Sequence, residues 1–468
     1  MRITTLQPAG QWAQAEFAFA ELGDPRRSKR LVNIATQLAA CPGGTLPQAF
    51  PDWAELKAAY RFFDNPVVDF ARVLRPHLER TRAACREPGE YLLLEDTSDL
   101  DFSRHRRTQD LGVIGDGDGR GFELHSALAV RVESWTLEQR PEGRLVGLWD
   151  QQCRRPRPAP PGESRGERLQ RRRKSSWWAE ALRGRGSPPS GCAWIYVADR
   201  ESDFYEPIQI CQQERIDFVI RGWHDRRLAD RAGGLLAALA RAPVLGQSTV
   251  ALRSRGGEVA RTAIVELRRV RVDLDGPWRP SGWQEPLRGV WVLEVREVDA
   301  PEGVTEPLHW ILLTSLPCRS LAEARRVLGR YTARWWVEDY HKALKSGAGV
   351  EDSQLEQAGR LEPLIAVLGI VAVRLLNTKL LARSRPEGHE AQESFGPEAL
   401  AILEEKFGRP KGGWTNRNVL VATARLGGFL ARKHDGMPGW QTIWRGWQRL
   451  MWMCEGFEII SGGGKTCG

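Results

Sequence analysis

The stretch Tyr91-Leu92-Leu93-Leu94-Glu95-Asp96 decides the reading of the fold: a short apolar run, closed by two acids. Bounded by turn-forming residues, such a run reads as a strand packed against a core. Side chains alternate along a strand, so Glu95 and Asp96 face opposite ways, and only one of them can serve a given site. An acid at a strand's carboxyl end lies at the sheet edge where α/β proteins build their sites. Asp96 is therefore the first candidate.

Reading outward, LHSALAVRV (124–132), RLVGLWDQ (144–151), WIYVADR (194–200) and DFVIR (217–221) repeat the strand pattern. Helical segments begin at SSWWAEALRG and DFYEPIQICQQE between the later strands. Strands followed by strand–helix alternation predict an α/β fold with a mixed sheet rather than a helix bundle. WIYVADR presents a second acid, Asp199, in the same setting as Asp96. Residues 248–298 alternate with period 2 around Gly256-Gly257 and predict an antiparallel β insertion with one wet face. LHWILLTS (308–315) leads back as a buried strand, and helices are expected over 321–346, 361–384, 416–433 and 440–457. GDGDGRG (115–121) lacks the context of a phosphate cradle or a calcium loop and reads as a loop between strands.

The first 70 residues read as helical. Asp24 is placed to cap a helix that has Pro25 in its first turn, followed by Arg26, Arg27, Lys29 and Arg30. A cationic first turn opposes the helix dipole and calls for an anion. DNA phosphate would serve, and a bare exposed turn is the alternative.

The formal charge of +9 is unevenly spread. Residues 153–174 carry nine Arg/Lys against two Glu, and residues 406–450 nine against one Asp, so the remainder is net acidic. Concentrated positive charge points to a polyanionic partner. Segment 153–174 also holds four prolines and reads as a loop, either a solvated linker or an added DNA contact. Eight scattered cysteines without a Cys-x-x-Cys pair exclude a zinc module and a disulfide framework. MRITTLQPAGQW has no signal-peptide pattern, and the apolar run Leu364–Val373 is short for a bilayer. A soluble protein of a reducing cytoplasm, associated with the nucleoid, is expected. Nineteen tryptophans supply core and, for some, stacking surfaces.

The segment YTARWWVEDYHKALK (331–345) has neither Pro nor Gly. On one continuous helix, Tyr331, Arg334, Glu338 and Lys345 fall within roughly 60° of one another, with Lys342 nearly in line and Asp339 a quarter-turn away. One acid among cations and a phenol suits metal binding beside phosphate; a solvated charged face is the bland alternative. Asp96, Asp199 and Glu338, converging, would hold two Mg²⁺ ions, which prefer oxygen ligands. Trp440, Trp444, Trp447 and Met451 form a stripe suited to core packing or a dimer interface.

GDPRR (23–27), YRF (60–62), LLLEDT (92–97), ADRESD (198–203), FVIR (218–221), WILLTS (310–315), YTARWWVEDYHKALKSGAG (331–349) and ARLGGF (424–429) occur in order. In this series the chain resembles the bacterial DDE transposases with a YREK signature, the insertion sequence four family, of the composite-transposon cut-and-paste type. The resemblance implies an N-terminal helical end-recognition domain (1–70), an RNase H-like catalytic core (71–363, with the β insertion at about 225–307) and a C-terminal helical dimerisation domain (364–468). It implies Asp96, Asp199 and Glu338 as the catalytic acids on two Mg²⁺ ions, with Mn²⁺ as a substitute. It further implies Tyr331, Arg334 and Lys345 on backbone phosphates, Trp310 against a flipped base, Arg221 and Lys342 as added DNA contacts, and Arg26, Arg27 and Arg30 reading the end. The partners implied are double-stranded transposon-end and target DNA, and a second copy of the chain on paired ends. Trp336 departs from the pattern, standing where the family tends to have a cation.

Two other classes compete. A silent transposase-derived DNA-binding protein or inhibitor is disfavoured because all three acids and Tyr331, Arg334 and Lys345 are present. A carboxylate-pair glycosidase needs no cations around its acids.

Overall fold

The computed structural model describes residues 9–158, 160, 162–164, 174–253, 260–279, 282–384, 386–389, 395–432 and 435–461. Residues 165–173 of the basic loop, Gly256-Gly257 and the tail after 461 lie outside the described residues, so the alternatives for the loop stay open.

Five helices open the chain: α1 (Ala9–Phe17), α2 (Pro25–Ala40), α3 (Leu46–Ala49), α4 (Trp53–Phe63) and α5 (Phe70–Ala84). Asp24 caps α2 as expected, its carboxylate accepting from the Arg26 backbone N–H at 2.8 Å. The central strands follow: β1 (Gly89–Asp101), β2 (Gly112–Ile114), β3 (Gly119–Trp135) and β4 (Pro141–Arg154). Next come α6 (Lys174–Leu182), β5 (Cys192–Ala198), α7 (Tyr205–Glu214), β6 (Asp217–Gly222) and α8 (Leu235–Arg241). The strands β7 (Val244–Leu252), β8 (Arg261–Leu274), β9 (Trp278–Arg279), β10 (Gly282–Trp283), β11 (Leu287–Val298) and β12 (His309–Thr314) complete the β content.

Ten strands form one sheet in the order β2-β3-β1-β5-β6-β12-β11-β8-β7, with β4 also pairing β3. The β1–β5 and β5–β6 pairs are parallel, and the other pairs are antiparallel. The insertion expected as an antiparallel unit is antiparallel, but it is no separate layer. Strands β11, β8 and β7 continue the main sheet through β12.

The central strands β1, β5, β6 and β12 are buried on both faces, which is why they read as continuous apolar runs. Leu92, Leu94, Ile195, Val197 and Leu312 pack on one face with the N-terminal helices and the late helices. Tyr91, Leu93, Trp194, Tyr196 and Phe218 pack on the other with α6 and α7.

After β12 come α9 (Leu321–Thr332), α10 (Trp335–Lys342), a π-turn over Ala343–Gly347, and α11 (Ala358–Ser384). Helix α11 is long and apolar enough to cross a membrane by length and composition, longer than the run read from sequence, yet nearly all of that stretch is buried inside the fold. It is the core helix, packed against α2, α4, α5, β4 and the π-turn. The last helices are α12 (Gly396–Phe407), α13 (Asn416–Leu426) and α14 (Trp440–Ser461). Helix α12 is absent from the sequence expectation, and α13 stops before Gly427-Gly428 rather than at 433. Position 427 has no room for a side chain: a Cβ there would stand 1.9 Å from the Thr442 carbonyl oxygen on α14.

Candidate active site

Parity along the strands places the acids. Asp96 shares the face of Leu92 and Leu94, and Asp199 that of Ile195 and Val197, the face covered by α9–α11. Strands β1 and β5 pair in parallel up to Leu94↔Val197, and Asp96 and Asp199 each stand two residues beyond that couple. The two chains therefore deliver their acids side by side as they part. Asp199 also caps a short 3₁₀ turn, accepting from Glu201 N–H at 2.8 Å. Strand β1 does not end at Asp96 as read from sequence; it runs on to Asp101, because its partner β3 extends beside it to Gly121.

Glu95 goes the other way, as alternation requires. It is buried on the opposite face, where it pairs with Arg185 and accepts from His125 Nε2 at 3.2 Å. Burial would raise its pKa, but Arg185 and His125 hold the carboxyl below its usual range.

The segment 331–345 is not one straight helix. Helix α9 ends at Thr332, and bonds from Trp336 N–H to Ala333 O and from Val337 N–H to Arg334 O, both 3.0 Å, tighten the chain by 3₁₀ steps. Beyond α10 the ladder widens into the π-turn, with Ala348 N–H on Ala343 O at 2.8 Å. Such departures from the α ladder recur at functional sites. They undo the alignment expected for Lys345, which turns to Glu351 at 3.7 Å, while Glu351 also accepts from Asp101 N–H at 2.9 Å. Lys342 is exposed at the end of α10. The π-turn is pressed onto α14: a Cβ at Gly347 would lie 2.4 Å from the Trp444 ring.

Arg334 stands at the centre. Its Nη1 donates to Asp96 Oδ2 at 3.1 Å and its Nη2 to Glu338 Oε1 at 2.5 Å. Burial opposes its charge, but Asp96, Tyr331, Glu338 and Asp199 more than offset that and push its pKa up. Asp96 responds oppositely. Burial lifts its carboxyl, Arg334 pulls it down, and Asp199 and Glu338 lift it again, leaving it at about 7. Burial also raises the Tyr331 phenol, whose neighbours include Arg334, Arg221 and Asp199. The fold thus assembles Asp96, Asp199, Glu338, Arg334, Tyr331 and Arg221.

Trp310 is packed, at 8% exposure, edge-on to Tyr331 at 5.0 Å and to Trp335 at 6.3 Å, with the Arg221 guanidinium 6.0 Å from its ring centre. In the N-terminal domain, Arg26 pairs with Asp24 at 2.8 Å, Arg27 donates to Leu22 O at 2.7 Å, and Arg30 pairs with Glu55. Two carboxylates, Asp24 and Glu55, thus answer the anion requirement of this basic turn, and the Asp24 pKa is lowered to about 2 by its bonds to Arg26. Arg26 remains exposed toward solvent.

Three oxygen-only carboxylate donors, one of them electrostatically crowded, fit the chemistry of a hard divalent ion. The arrangement differs from a cage: among the described residues no three acidic, His or Cys side chains stand close enough to hold an ion. Arg334 takes the cationic place between two of the acids.

Sequence reading missed the role of Asp339. Buried beside Glu338, it receives Arg253 of the insertion at 2.8 Å, lies 3.9 Å from Lys379 of α11, and accepts from Trp440 Nε1 at 3.4 Å. The signal was the period of the segment itself, which points Asp339 away from Glu338 and into the fold. Trp440 and Trp444 stack at 5.3 Å and Trp447 packs on Phe395, so the tryptophan stripe is core.

Residues 9–68 match the family model for a transposase DNA-binding domain, and residues 370–464 that for the Tn5 transposase dimerisation domain. Both ends of the chain resemble a Tn5-type transposase. The first match covers α1–α4, including the basic turn of α2. The second covers the latter part of α11 and α12–α14. Together they support a DNA transposase of the Tn5 type that binds DNA and forms homodimers. The three acids lie in the segment between the matches.

Proposed function

We propose that the protein is a cut-and-paste DNA transposase of the DDE type with a YREK signature, excising a mobile element and joining it to target DNA. The observation that carries the reading is the gathering of Asp96, Asp199 and Glu338 around Arg334, in a chain whose ends resemble DNA-binding and dimerisation modules. Strands β4-β3-β1-β5-β6 are read as an RNase H-like core, with the later strands as its insertion. Asp96, Asp199 and Glu338 would hold two Mg²⁺ ions, which when bound activate an attacking oxygen and stabilise the leaving one in an in-line displacement.

The residues themselves do the positioning. Arg334 and Tyr331 sit where a backbone phosphate could replace the carboxylates as Arg334's partner, a bidentate exchange that guanidinium favours. Arg221 adds charge next to them, exposed Lys342 stands farther along α10, and Lys345 would join them only by leaving Glu351. The reaction that the resemblance implies for this site is successive: water nicks a strand, the freed 3′-hydroxyl closes a hairpin, water opens it, and the 3′-hydroxyl attacks target DNA.

The test uses duplexes taken from either side of the protein's own coding sequence. Wild type should nick them with Mg²⁺, and Glu338→Ala should bind equally well yet lose cutting by about 10³-fold or more, as expected when metal-assisted charge stabilisation worth several kcal/mol disappears. A Glu338→Ala protein that cuts like wild type would assign the chemistry elsewhere.

A further inference from the structure

Trp223 exposes 63% of its surface directly after β6, two residues beyond Arg221. A single exposed aromatic is ordinary on a protein surface. This one sits on an anchored loop beside the acids. Asp203 is buried, and its Oδ2 accepts from Trp223 N–H at 2.7 Å and His224 N–H at 3.0 Å, while its Oδ1 accepts from Arg226 Nη2 at 2.5 Å. The backbone under the ring is therefore fixed. The guanidinium of Arg200, an exposed residue that directly follows Asp199, lies 4.8 Å from the ring centre. An aromatic face and a cation thus stand together at the rim of the site.

Trp310, the ring the family resemblance offers for stacking, is closed off by Tyr331 and Trp335. Within a duplex the faces of each base are covered by the neighbouring base pairs, so an exposed indole gains a stacking partner there from a base that has left the stack. The neighbouring cation suits the phosphate of that same nucleotide.

We propose that Trp223 and Arg200 form a binding site for an unpaired DNA base and its phosphate beside Asp199. This rests on the transposase reading above. The probe is a short duplex carrying one unpaired 2-aminopurine, compared with its fully paired counterpart. Wild type should quench the probe's fluorescence by stacking and bind it more tightly than the paired duplex. Trp223→Ala should weaken binding of the unpaired probe by about 5- to 100-fold and abolish the quench, with less than about twofold effect on the paired duplex. Trp223→Phe should restore most of both, and Arg200→Ala should weaken binding while leaving the quench. Equal losses on both duplexes, or no loss on either, would overturn the proposal while wild-type nicking with Mg²⁺ left the transposase reading standing. A wild type that ignores both duplexes and nicks nothing overturns the two together.

Discussion

Arg334 donates to Asp96 across 3.1 Å and, through its other terminal nitrogen, to Glu338 across 2.5 Å. One guanidinium occupies the attention of two of the three acids. Divalent cations bound there, as proposed above, would compete with Arg334 for the same oxygens in DNA-free protein, and a phosphate that draws Arg334 away would favour the cations. Arg334→Gln should bind Mn²⁺ about 10- to 100-fold more tightly without DNA, the equivalent of one charge-assisted hydrogen bond, while losing DNA cutting. Calorimetry or electron paramagnetic resonance reads the metal directly, and unchanged or weaker Mn²⁺ binding would rule out competition.

Asp339 is buried amid Arg253, Lys379 and Trp440, drawn from three different parts of the chain. Removing the anion takes the carboxylate away from the buried Lys379 ammonium, whereas removing Arg253, itself partly solvated, leaves that carboxylate in place. Asp339→Ala should lower unfolding free energy by about 3–5 kcal/mol and Arg253→Ala by about 1 kcal/mol or less. Denaturant titrations of the two variants check the asymmetry; equal costs would contradict it.

His341 is buried against Ser126, with Nε2 3.2 Å from Oγ. Burial, and then Lys345, His125 and Arg334, push its pKa down to about 3. The folded state therefore holds it neutral, while the unfolded chain protonates it near its ordinary value of 6.5. Between those values the unfolded state binds more protons, so the stability His341 contributes is present above 6.5 and is lost as pH falls toward 3. From pH 7 to pH 5 the wild type should lose about 2 kcal/mol more than His341→Gln does. Parallel pH slopes for the two proteins would refute this.

Helix α14 leaves Trp452 (59%), Met453 (38%) and Phe457 (49%) exposed, inside the segment similar to a dimerisation domain. Large apolar side chains grouped on one helix mark a contact surface. Trp452→Glu combined with Phe457→Glu should weaken dimerisation by about 30-fold or more without changing the melting temperature of the monomer. Sedimentation on paired-end DNA provides the measurement, and an unaltered dimer would move the interface elsewhere.

The strands around Asp96 and Asp199 were legible because a sheet buried on both faces imposes long apolar runs, and because period 2 separates Glu95 from Asp96. The insertion was legible as antiparallel but not as an extension of the main sheet. Pairing between β12 and β11 depends on partners distant in sequence, and alternation along one strand does not name its neighbour. Helix α12 escaped the reading, and α13 ended earlier than expected, before Gly427-Gly428.

The segment 331–345 shows the division most clearly. Its residue types and spacing were enough to single out Tyr331, Arg334 and Glu338, because helical geometry is local and repeats along the chain. Only the tertiary structure decided that Arg334 would bridge Asp96 and Glu338, that Lys345 would turn to Glu351, and that Trp310 would be enclosed while Trp223 stayed open. Those outcomes depend on which distant charges and rings share a low-dielectric interior, where a nearby partner outweighs the periodicity of the helix carrying the side chain.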